Sequence, residues 1–210
     1  MAGRFITIEG IEGVGKSTNV DFIARYFRDR GETVVVTREP GGTELAEAIR
    51  RLILETPRDG LSDTGELLLM FAARAEHLHS LIKPALARGD TVVCDRFTDA
   101  TFAYQGSGRG VDWDRIETLR TLVQGDLQPD LTVLLDADTA VSAQRVAGRG
   151  EAKDRFEQER AEFFSRVREG YLRLAAEQPQ RIAVIDAGRP LAEVQEQLAT
   201  VLDNRFKKAN

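Results

Sequence analysis

The sequence holds a single cysteine, Cys94, which excludes an internal disulfide framework and a cysteine-built zinc site. Two histidines, His77 and His79, are expected on one solvent-facing helical stretch, where a metal site is not expected. Long apolar runs are missing as well, and nothing approaches the length needed to span a bilayer. The first residues enter strand-like sequence at once, without a basic stretch leading into an apolar one. No cleavable leader is expected, and the chain is placed in the cytoplasm. Nor is there any basic excess, with 34 acidic against 29 basic residues and a net charge of −5. That balance argues against a nucleic-acid or membrane-surface partner, whose binding domains carry a basic face. A small anionic ligand stays compatible wherever arginines converge.

What is present suits one α/β domain over residues 1–210: 42% hydrophobic and 30% charged residues, enough chain for a single core. Five short runs rich in β-branched residues read as strands buried on both faces: Phe5–Glu9, Thr33–Thr37, Thr91–Asp95, Leu131–Asp136 and Ile182–Asp186. Three of them end in Asp. Between them lie helical candidates at Ser17–Arg30, Glu44–Glu55, Asp63–Arg88, Asp114–Gln124, Ala140–Ala147, Arg155–Gln178 and Ala192–Phe206. Alternation of this kind predicts a doubly wound five-stranded parallel sheet flanked by helices, with ligands beyond the carboxyl ends of the strands.

The strongest chemical signal is Gly10-Ile11-Glu12-Gly13-Val14-Gly15-Lys16-Ser17, a complete G-x-x-x-x-G-K-[ST] phosphate loop between a strand and a helix. Its glycines let successive backbone N–H groups turn toward an anion. Lys16 is suited to the β- and γ-phosphates of ATP, and the Ser17 hydroxyl to Mg²⁺. Asp95 closes the third strand, where a carboxylate holds Mg²⁺ through water. Arg96 beside it suits a second phosphate, that of an acceptor. Arg38, at the end of the second strand within Thr37-Arg38-Glu39-Pro40-Gly41-Gly42-Thr43, points to the same edge.

These motifs, taken in order with Ala103-Tyr104-Gln105-Gly106, Gly108-Arg109-Gly110 and Asp154-Arg155-Phe156-Glu157, resemble those of the bacterial thymidylate kinases over nearly the whole chain. The resemblance implies a P-loop fold with a mobile lid at about residues 145–156, and transfer of the γ-phosphate of ATP to dTMP. It also implies a homodimer. Arg74 matches the arginine that hydrogen-bonds O4 of thymine, while Met70 and Phe71 are alternatives for the side chain lining the base. Thr101 and Gln105 are candidates for the polar edge of thymine, and Glu12 for a carboxylate near the sugar and the acceptor phosphate. Gly13 stands where the eukaryotic-type enzymes carry an arginine, so the resemblance makes Arg149 and Arg155 of the lid the expected catalytic cations, with Arg145 a candidate to stack on adenine. Two alternatives remain: a kinase for another nucleoside monophosphate on the same fold, and a regulatory P-loop NTPase. The second lacks the Asn/Thr-Lys-x-Asp motif of guanine recognition.

Overall fold

The computed structural model describes residues 3–148, 156 and 159–206. Five strands, β1 (Phe5–Glu9), β2 (Val34–Arg38), β3 (Thr91–Asp95), β4 (Leu131–Asp136) and β5 (Ile182–Asp186), form one parallel sheet in the order β2-β3-β1-β4-β5. The helices are α1 (Lys16–Arg28), α2 (Glu44–Glu55), α3 (Asp63–His77), α4 (Lys83–Ala87), α5 (Thr98–Thr101), α6 (Trp113–Gln124), α7 (Thr139–Ala147), α8 (Ala161–Glu177) and α9 (Leu191–Phe206).

Because side chains alternate along a strand, the central strands feed two cores. Phe5, Val92, Cys94 and Phe97 pack with Leu78 and Ile82 on one face. Ile6, Ile8 and Val93 join the larger cluster on the other. The expectation that all five strands are buried on both faces holds for β1, β3 and β4 and fails at the margins. Val36 of β2 and Val184 of β5 are 41% and 47% exposed. Both strands sit at sheet edges, and strand order depends on non-local pairing that a run of valines does not encode.

The expected helix Asp63–Arg88 is one rod with a defect. A π-helical turn at Leu78–Ile82 separates α3 from α4, whose second residue is Pro84. Proline has no N–H to give to the preceding turn, so the hydrogen-bond ladder shifts by a residue before it. The stretch Thr98–Gly108 is α5 continued by a π-helical segment, Phe102–Gly108. The expected helix Arg155–Gln178 is described from Ala161 as α8, and its expected start at Arg155 lies outside the described residues; Phe156 is buried and Glu159 binds Arg109. Among the described residues, no helix is long and apolar enough to cross a membrane.

Candidate active site

With all strands parallel, their carboxyl ends share one edge: Arg38 pairs in register with Asp95, and Ile8 of the central strand does so from the other side. The phosphate loop leaves β1 there and winds into α1. Gly13 adopts φ +81, and a Cβ on it would stand 2.3 Å from the carbonyl oxygen of Ser142 on α7. Only glycine allows this loop to lie against that helix.

Lys16 Nζ donates to the carbonyls of Gly10 (3.2 Å) and Ile11 (2.9 Å). Burial, and then the nearby Arg96 guanidinium, push its pKa down to about 8. Such an ammonium is short of negative charge, and a polyphosphate supplies it. Ser17 and Asp95 line the same cleft, and Asp95 Oδ1 is buried with no protein donor. A hard cation ligated by oxygen fits this pair: one neutral hydroxyl and one uncommitted carboxylate oxygen.

Arg96 carries the only positive φ (68°) of any non-glycine among the described residues. Its guanidinium reaches Gly10 O (3.0 Å), the Tyr171 hydroxyl (3.2 Å) and Glu12 Oε1 (2.8 Å), and lies over the Tyr104 ring. Tyr104 in turn donates to Glu12 Oε2 at 2.7 Å. Beneath them Glu9 accepts from Tyr171 O–H and the Phe97 N–H, both at 2.7 Å. Burial, and then the charge of Asp99, raise its pKa to about 8.

Across the cleft, Met70 lines the opening, whereas Phe71 lies behind it, against the Arg74 guanidinium. Arg74 is 3% exposed and donates to Glu39 Oε2, Phe97 O and Thr101 Oγ1. Its Nη1 is buried without a protein partner. Thr101 and Gln105, each 2% exposed, part company: Thr101 serves Arg74, while Gln105 lines the cleft and donates to Glu66. Arg38 sits outside the central cleft, in a fork with Glu47, and borders an adjoining hollow with Ser17 and Asp95. Arg145 donates to Ala187 O. Arg149 and Arg155 lie outside the described residues.

His77 corrects the expectation from sequence. Only His79 is exposed; His77 is fully buried between Thr37 and Glu39, because the rod turns that side toward β2. Sequence reasoning also passed over Glu39, Arg50, Tyr104, Phe156 and Tyr171. The first four line the cleft, and Arg50 donates to Pro40 O. Glu39 falls inside the Thr37–Thr43 motif, so its signal was present; Tyr171, in an ordinary amphipathic helix, carried none.

The family model for thymidylate kinase matches residues 8–198. The chain belongs to the thymidylate kinase family. The thymidylate kinase of Chromohalobacter salexigens is 61% identical over 205 residues, with 97% of each chain covered. That of Pseudomonas entomophila is 54% identical over 202 residues, with 96% of each covered. The crystal structure of thymidylate kinase from Ehrlichia chaffeensis superposes with a TM-score of 0.77 at 37% identity, over 96% of this chain and 99% of that one. Within the thymidylate kinase family, then, this chain presents a P-loop and Arg96 lining one cleft at the carboxyl edge of the sheet.

Proposed function

We infer that this chain transfers the γ-phosphoryl group of ATP to dTMP, giving ADP and dTDP. The observation that carries the reading is the shared cleft. Lys16 of the phosphate loop and Arg96 both line it, so a donor and an acceptor phosphate meet between two fixed cations. No covalent enzyme intermediate is required. The backbone N–H groups and Lys16 hold the donor phosphates, while Arg96, with Arg38 at the rim, orients the acceptor phosphate.

Arg74 Nη1, buried and uncommitted, suits the O4 carbonyl of thymine, with Met70 against the base face and Gln105 at its polar edge. Thr101 acts through Arg74 instead. Glu12, tied to Arg96 and Tyr104, keeps that cation in place until an acceptor arrives. Ser17 directly and Asp95 through water would hold Mg²⁺, which neutralises charge on the phosphates as they react. Arg149 and Arg155 are the proposed cations of a lid over residues 145–156.

We further propose a cytoplasmic homodimer in which residues 1–210 are one domain. Exposed Leu45 and Leu52 of α2 and Leu68 of α3, on two helices packed together, give apolar surface for a second copy.

ADP release with MgATP, measured against dTMP, dUMP, dCMP, dGMP and AMP, tests the reaction. Stimulation by dTMP above the others is expected. A better response to another monophosphate would keep the mechanism and discard the substrate. ADP release that needs no acceptor would leave the phosphate loop and remove the kinase. Lys16→Ala is expected to abolish turnover with the fold intact.

A further inference from the structure

The segment Thr37–Thr43 does more than turn the chain. Both carboxylate oxygens of Glu39, 5% exposed, are engaged: Arg74 Nε donates to Oε2 at 2.7 Å, and His77 Nδ1 stands 3.0 Å from Oε1. His77 places its other nitrogen, Nε2, 2.7 Å from Thr37 Oγ1. A carboxylate only accepts, so Nδ1 carries the hydrogen. Nε2 faces the Thr37 hydroxyl, which donates to it when Nδ1 is the ring's one N–H.

Gly42 closes over this chain of bonds. A Cβ there would stand 2.4 Å from Thr37 Oγ1 and 2.5 Å from His77 Nε2, at φ +86. The paired glycines of the motif thus have a use beyond the turn.

At the far end of the chain of bonds, little freedom is left to Arg74. Glu39 fixes Nε, Phe97 O and Thr101 Oγ1 fix Nη2, and the rings of Phe71 and Phe97 lie 4.8 and 5.2 Å from the guanidinium carbon. Nη1 is the nitrogen left without a protein acceptor.

We propose that Thr37, His77 and Glu39 form a positioning relay that aims Arg74 Nη1 at the 4-carbonyl of the acceptor pyrimidine, and so set the preference for dTMP over dCMP. The proposal rests on the reading of Arg74 as the residue that meets the base. A fixed N–H donor matches a carbonyl oxygen. Opposite the 4-amino group of cytosine it would face another donor and stay unpaired, which is how buried polar sites reject a near-isostere. Selection of this kind demands that the donor not swing, and the relay supplies that restraint. Thr37, His77 and Glu39 are positioning residues; none is assigned a contact with the reacting atoms.

The test is steady-state kinetics with dTMP, dCMP and ATP, alongside thermal unfolding, for Glu39→Gln, His77→Phe, His77→Gln, Thr37→Val and Arg74→Ala. Glu39→Gln and His77→Phe are expected to raise KM for dTMP about 10- to 100-fold, by analogy with the loss of an outer partner of a metal-ligating side chain. KM for ATP and kcat should change by less than about threefold, and the dTMP-over-dCMP ratio should fall about tenfold or more. Thr37→Val should move the same quantities less. His77→Gln, which restores a donor toward Glu39, should recover most of the selectivity.

A lowered melting temperature with unchanged KM for dTMP and unchanged selectivity would overturn the relay and leave a purely structural network. If Arg74→Ala abolishes selectivity while the relay variants keep it, the relay alone fails. If Arg74→Ala behaves as wild type toward both acceptors, the base-reading role of Arg74 itself fails. Should His77→Phe not fold, Glu39→Gln and Thr37→Val decide the matter.

Discussion

Arg96 Nη2 lies 2.8 Å from Glu12 Oε1, so the arginine that follows the third strand is tied to a carboxylate of the phosphate loop itself. The same guanidinium also reaches a main-chain carbonyl of that loop and the hydroxyl of Tyr171. Three partners in three directions need a planar fork, which lysine does not offer. Arg96→Lys is therefore expected to lose about 10²- to 10³-fold in kcat/KM for dTMP, the usual cost of removing one well-placed donor to developing charge. Steady-state rates at saturating ATP measure it. A loss under about threefold would mean that a point charge suffices there and that the fork has no catalytic consequence.

Lys16 predicts a pH-dependent ATP affinity. In the free protein its pKa is lowered to about 8, first by burial and then by Arg96, with Asp95, Glu12 and Glu9 opposing. Bound polyphosphate favours the ammonium form, so the pKa of the complex lies higher. Below about pH 7 the lysine is charged in both states and affinity is flat. Above pH 8 each binding event must take up a proton, and Kd for ATP should rise toward tenfold per pH unit. Calorimetry at pH 9 in buffers of different ionisation enthalpy should show uptake approaching one proton per ATP, and no uptake in Lys16→Met. Equal, near-zero uptake in both proteins would remove Lys16 as the titrating group.

Gly13→Ala should damage the donor site from behind. The new methyl would meet Ser142 O at 2.3 Å, and φ +81 is unfavourable for any Cβ. Main-chain atoms on both sides cannot yield as a flexible side chain would. Loss of about 1–3 kcal/mol of stability is expected from the backbone conformation alone. A further drop in ATP affinity should accompany it as the loop lifts away from α7. Thermal unfolding with and without MgATP separates the two effects, and a variant with wild-type melting and wild-type ATP-induced stabilisation would refute both.

Much of this architecture was legible because its signals are local. The phosphate loop is a contiguous string, the strands are compact β-branched runs, and the start of α2 is set by Thr43, whose hydroxyl caps it by accepting from the Ala46 N–H. What escaped was non-local. His77 looks like any polar residue beside His79; its burial depends on which side of a π-interrupted rod meets β2. Glu39 lies 35 residues from Arg74 in sequence, and no local pattern announces the pair. The choice between Met70 and Phe71 was open because adjacent helical positions differ by about 100°, and only packing shows which one faces the cleft. Glu9 and Tyr171, 162 residues apart, are joined by a hydrogen bond that only the finished sheet and α8 create.

Glu9 gives a stability prediction whose sign follows from burial. Its folded pKa is raised to about 8 from the usual 4.5, first by desolvation and then by Asp99, with Arg96 opposing. A carboxyl whose pKa is higher in the folded state binds its proton more tightly there than in the unfolded chain. The stability this contributes is fully present below about pH 4.5 and is lost as pH rises through 8. Each tenfold difference in proton affinity between the two states is worth about 1.4 kcal/mol, so the loss by pH 9 is on the order of 5 kcal/mol. Glu9→Gln cannot ionise; its amide oxygen can still accept from the Phe97 N–H, while its NH2 group donates to the Tyr171 hydroxyl oxygen instead of accepting from it. Urea unfolding of both proteins from pH 5 to 9 should therefore show the wild type falling relative to the variant as pH rises, most steeply around pH 6 and levelling off above about pH 8. Parallel curves would mean that Glu9 is already ionised at neutral pH, held so by Arg96 through Tyr171, and the burial argument would be wrong.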